Sequence, residues 1–90
     1  MDKVEAQAIL SAEMARFKSM SYAELQTMVR APRVIERVGE SGTVYQIEVE
    51  AFWDHPGQES GDLRVLASID DGRILSSIVP LCDDFIVSGQ

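Results

Sequence analysis

The apolar residues change period part-way along the chain, and the change separates a helical first third from a strand-rich remainder. From Asp2 to Lys18, Ala6, Leu10, Met14 and Phe17 follow i, i+4, i+8, i+11 spacing and fall on one stripe of a helix. Alanine fills much of the rest of this segment and favours helix by propensity. Glu5 and Arg16 fall on the opposite side and are expected to face solvent. A second helix should start at Ser21. In Ser21-Tyr22-Ala23-Glu24 the serine hydroxyl can accept from the Glu24 amide while the Glu24 carboxylate accepts from the Ser21 amide, a capping box. Met20 and Leu25 stand where a hydrophobic staple needs them. Leu25, Met28 and Val29 are expected to face the core, and Pro32 to end the helix by pushing Ala31 out of the α region.

Beyond Pro32 the period is two. Arg33–Val38 reads as a short strand and Gly39-Glu40-Ser41-Gly42 as a hairpin turn. Thr43–Asp54 alternates most clearly, with Tyr45, Ile47, Val49, Ala51 and Trp53 on one side and Gln46, Glu48, Glu50 and Asp54 on the other. Asp54–Gly61 is a polar loop. Asp62–Asp70 alternates again, Leu63, Val65, Ala67 and Ile69 against Arg64, Ser68 and Asp70. Asp71-Gly72 is a hairpin signal, Ile74–Val79 reads as a fourth strand closed by Pro80, and Asp83–Val87 as a short edge strand or an irregular tail. Strands joined by short turns form an antiparallel meander, and the N-terminal helices are the available cover for its apolar face. The expected architecture is α+β, with two N-terminal helices packed on one face of a three- to five-stranded antiparallel meander sheet. The helices should lie within about residues 2–30 and the sheet within about residues 33–87, all in a single domain of residues 1–90.

Composition narrows the chemistry more than the fold. At 90 residues the chain has room for one domain, and its 46% apolar content is that of a globular chain. Acidic residues outnumber basic ones 15 to 8, for a net charge of −7, and the cations are scattered. A nucleic-acid surface gains its affinity from clustered cations, so no nucleic acid is expected as partner, and an anionic membrane surface is disfavoured for the same reason. No apolar stretch approaches the ~20 residues that span a bilayer. A basic protein partner is electrostatically compatible. Cys82 is the single cysteine, and Met1–Glu5 lacks the basic start and apolar run of a signal peptide, which together suit a reducing cytoplasm.

The polar residues assemble no catalytic set, so no catalytic, cofactor-binding or metal residue is assigned, no cofactor is expected, and an enzyme is not expected. His55, the single histidine, has Asp54 beside it, but strand neighbours point to opposite faces. Cys82 has Asp83 beside it, whose charge disfavours a thiolate, and is expected as a small buried hydrophobe. Asp70-Asp71-Gly72 reads as turn chemistry. A cation site drawn from Asp54, His55, Asp70, Asp71, Asp83 and Asp84 stands as an alternative, although their spacing matches no calcium loop.

Tyr45-Gln46-Ile47-Glu48-Val49, Phe52-Trp53-Asp54, the run from Leu63 to Gly72, Pro80-Leu81 and Asp83-Asp84-Phe85-Ile86 together resemble a group of small uncharacterised bacterial proteins. The resemblance covers about the C-terminal half. It implies a bacterial, cytosolic, stand-alone domain and assigns no site.

One feature of the strands bears on partners. Val44, Phe52 and Leu66 stand on the nominally polar side, among Gln46, Glu48, Glu50 and Arg64. Clustered there, they would make an interaction patch in which Arg64 pairs a glutamate across strands. The leading expectation is a non-enzymatic protein-interaction module whose partner is another protein or, by self-association, a second copy. The alternatives are a metal- or small-ligand-binding domain using the Asp and His loop residues, and an acidic inhibitor, of the immunity or antitoxin kind, of a basic protein.

Overall fold

The computed structural model describes residues 2–55, 57, 61–72 and 81–89. Its first element, helix α1 (Lys3–Lys18), starts where the Asp2 side chain accepts from the Glu5 amide at 3.1 Å. Arg16 and Lys18 in the last turn suit the negative end of the helix dipole. Ala6, Leu10, Met14 and Phe17 are all buried, so the i, i+4 stripe is the one that faces the core. Helix α2 (Tyr22–Gln26) carries the full capping box: Glu24 N–H donates to the Ser21 hydroxyl at 3.1 Å and Ser21 N–H donates to Glu24 Oε1 at 3.0 Å. It stops well short of Pro32. The Thr27 hydroxyl donates to the Glu24 carbonyl at 2.6 Å, and Arg30 adopts φ 67°, the left-handed region that breaks a helix. The early stop brings Val29 into a parallel bridge with Ala51, while Leu25 and Met28 are buried as expected.

Strands β1 (Arg33–Val38), β2 (Val44–Trp53), β3 (Leu63–Asp70) and β4 (Leu81–Val87) form an antiparallel sheet in the order β1-β2-β3-β4. The first three lie where the alternation puts them, to within a residue at each end. The strand expected over Ile74–Val79, with its closure at Pro80, lies outside the described residues. The segment read as an edge strand or tail is β4, paired with β3 from Leu63↔Val87 to Ile69↔Leu81. Between β1 and β2, Gly39 N–H donates to the Thr43 carbonyl and Gly42 adopts φ 86°, the left-handed conformation the tight turn requires.

Tyr45, Ile47, Val49 and Ala51 of β2 and Leu63, Val65, Ala67 and Ile69 of β3 form the inner face and pack with the α1 stripe, Leu25 and Met28 into one core. Trp53, expected in the same row, is half-buried at its end. Helix α1 lies against β3 and β4, and α2 against β3. On β4 the half-buried residues are Leu81, Asp83, Phe85 and Val87, which leaves Cys82 exposed instead of buried as expected. Three apolar side chains of the odd-numbered set contact the core, and strand parity then turns Cys82 to the far side.

Two carboxylates of α1 fasten the helix to the β1–β2 hairpin. Glu13 is buried on the apolar stripe itself; its Oε2 accepts from Arg16 at 2.7 Å and its Oε1 from Arg37 of β1 at 2.6 Å. Glu5, expected to face solvent, instead accepts the Ser41 amide at 3.0 Å, the Ser41 hydroxyl at 2.7 Å and the Tyr45 hydroxyl at 2.8 Å.

Candidate functional site

In an antiparallel sheet, directly opposed residues share a face. The β1–β2 and β2–β3 registers oppose Val34 to Glu48, Glu36 to Gln46, Val38 to Val44, Glu50 to Leu66 and Phe52 to Arg64. The β3–β4 register adds Ile86 opposite Arg64, Asp84 opposite Leu66 and Cys82 opposite Ser68. All of these lie on the face turned away from the core. The six residues singled out from the sequence, Val44, Glu48, Glu50, Phe52, Arg64 and Leu66, therefore share one surface.

They do not make one cluster. Val44 and Phe52 are eight positions apart on β2, about 27 Å at ~3.4 Å per residue. Val44 belongs with Val38, directly opposite it and 65% exposed; Val34, 67% exposed on the same face of β1, stands apart, opposite Glu48 and about 14 Å along the strand from Val38. Phe52 belongs with Ile86, exposed on β4, and with half-buried Leu66, the diagonal neighbour of both. Neither Val38 nor Ile86 stands out in the sequence as part of this surface. Each has the right parity within its own strand, but only the pairing register sets it beside the others.

The electrostatics also differ from expectation. Arg64 was expected to pair a cross-strand glutamate. Its Nε instead donates to Asp54 Oδ1 at 3.0 Å and its terminal nitrogen to Asp84. The Asp54 hydrogen bond, with that of Asp84, outweighs partial burial and raises the Arg64 pKa above its ordinary value. Asp54 and Asp84 lie nearer because β2 ends at Trp53, where the chain bends, and because Asp84 is diagonal to Arg64 across β4. Glu36, Glu48 and Glu50 make no ion pair among the described residues. Their cross-strand neighbours, Gln46, Val34, Ser68 and Leu66, carry no charge.

The residues considered for a cation do not converge as a set. Asp54 and His55 approach each other, with His55 Nε2 at 3.7 Å from Asp54 Oδ2, since the bend after Trp53 removes the strand alternation that would have kept them apart. Their neighbour in space is Asp62 at the start of β3, and the ligand atoms of the three lie within 4.8 Å of one another. Arg64 already supplies positive charge to Asp54, and Asp62 Oδ1 accepts from the Gly89 amide. Asp83 and Asp84 are separated onto opposite faces of β4, and Asp70 closes a local turn by accepting from Gly72 N–H at 2.9 Å. Among the described residues no helix is long and apolar enough to cross a membrane.

No protein-family model, curated protein or solved structure matches the chain. The function has to be read from the surface itself.

Proposed function

We propose that the protein is a non-enzymatic interaction module, working in the cytoplasm, that presents the outer face of its sheet to a protein partner. The observation that carries this is the pair of apolar corners on a face that one-sided packing would leave polar: Val38 and Val44 at one end, Phe52, Leu66 and Ile86 at the other. Single exposed apolar residues need no explanation, but groups fixed side by side by sheet register mark a contact surface. Stacking two copies through this face would set the carboxylates of Glu36, Glu48 and Glu50 against their equivalents. Arg64, the one cation on the strands of this face among the described residues, already serves Asp54 and Asp84. Such like-charge contact is costly, which favours a different chain as the occupant.

Immobilised wild-type protein and a Phe52→Ser/Ile86→Ser variant, exposed to the same lysate, test the surface. A discrete protein should be retained by the wild type and lost from the variant; identical retention by both would sink the proposal. Sedimentation across micromolar concentrations should find a monomer.

A further inference from the structure

We infer that the occupant of the outer face is an extended basic segment of another protein, with cations at its centre and apolar side chains at its two ends. The inference rests on the interaction reading above and adds the partner's chemistry. Its ground is the pattern of unmet charge. Opposite charges facing each other across strands are the usual way a sheet face neutralises itself. Here Glu36, Glu48 and Glu50 project from that face with no such partner, opposed by valine, glutamine, serine and leucine. Glu48 and Glu50 are alternate residues on the same face of β2, about 7 Å apart, the repeat at which an extended partner presents successive side chains. Apolar groups flank this acidic centre at both ends: the Val38 and Val44 corner and the Phe52, Leu66 and Ile86 corner. An extended segment lying along β2 presents every second side chain to this face, so it would set cations against Glu50 and Glu48 and apolar residues on Phe52 at one end and Val44 at the other. A chain of net charge −7 would add long-range attraction and speed encounter with such a partner.

The probes are three nine-residue peptides on the full chain, followed by fluorescence anisotropy, each with serine at every even position: a lysine–valine peptide with valine at both ends and lysine at the inner odd positions, a glutamate–valine peptide with glutamate in place of the lysines, and a lysine–serine peptide with serine in place of the valines. The lysine–valine peptide should bind the wild type best, and the glutamate–valine peptide should not bind. Glu48→Gln/Glu50→Gln should weaken lysine–valine binding by about ten-fold or more. Glu40→Lys changes the net charge by the same amount at the hairpin turn and should weaken it by no more than about two-fold if the interaction is local. Equal losses from the two variants would overturn the inference, since attraction would then follow net charge alone. Equal binding of the lysine–valine and glutamate–valine peptides would overturn it as well. If that shared binding were lost in Phe52→Ser, the outer face would stand as a docking surface and only its preference for cations would fall. Failure of every peptide at millimolar concentration, with lysate capture still dependent on Phe52 and Ile86, would likewise refute the basic partner and leave the interaction reading intact. The same failure with capture indifferent to Phe52 and Ile86 would remove both.

Discussion

Glu5 accepts three hydrogen bonds on one carboxylate, two from Ser41 and one from Tyr45. The Ser41 hydroxyl bond, followed by those of Tyr45 and the Ser41 amide, lowers its pKa below the ordinary carboxyl value. A depressed folded-state pKa stabilises the fold above the unfolded value of roughly 4.3, and the contribution is lost as pH falls through the lower folded value. Glu5→Gln should therefore be less stable than wild type at neutral pH, and the gap between their urea midpoints should close on acidification; a gap independent of pH would show that the carboxylate charge is not what matters. Burial, reinforced by the Glu5 hydrogen bond, pushes the Tyr45 hydroxyl up to about 12. The sign there is opposite, with stability lost as pH rises from roughly 10, the unfolded tyrosine value, toward that folded value. Gly39 reports on the same contact. A Cβ added there would run into the Glu5 carboxylate, so something must shift. Gly39→Ala should lower the denaturation midpoint in the wild type and do little in a Glu5→Ala background; equal effects in both would place the cost elsewhere.

Helix α1 and strand β1 meet through Glu13, which bonds Arg16 on its own helix and Arg37 on the strand. Arg37→Ala leaves a buried carboxylate with one cation instead of two and should cost about 1–3 kcal/mol in chemical denaturation. Glu13→Met/Arg37→Met removes both charges and fills the space with apolar groups, so it should be less damaging than the single change. A double variant as unstable as Arg37→Ala would contradict this. These elements also show what the sequence discloses. The period of Tyr45, Ile47 and Val49 and the Ser21–Glu24 cap were legible because their causes lie within a few residues. The position of Glu13 on the apolar stripe was visible too, three residues after Leu10, but its burial depends on an arginine 24 positions away. The sequence does not disclose the end of α2, because the chain tightens to i→i−3 bonds at Thr27, Met28 and Val29 before it reaches Arg30 or Pro32. Cys82 was misplaced because moving a strand by one residue exchanges its faces, and the choice on β4 is made by contact with α1 and the core.

For the whole molecule, the outer sheet face lies outside the core cluster. Phe52→Ser/Ile86→Ser should cost no more than about 3 kcal/mol, since the two side chains are 39% and 48% exposed and each forfeits only part of the roughly 1.5–3 kcal/mol of full burial. A larger loss in thermal or urea unfolding would mean that this face is part of the fold's support. That Val44, Phe52 and Leu66 share a face was readable from strand parity. That they divide into two corners, joined by Val38 and Ile86, was not, because the division depends on which residues the strands set opposite each other. The grip of Glu5 on the hairpin has a consequence in time as well as in energy. Its bonds reach across 36 residues to Ser41 and 40 to Tyr45. Closing a loop of that span costs entropy before it returns any contact, so the first turn of α1 should settle only after the hairpin exists. The beginning of the chain thus takes its order from a turn some forty residues later. The amides of both should then exchange with deuterium as one opening unit, and separate rates would show that they open independently.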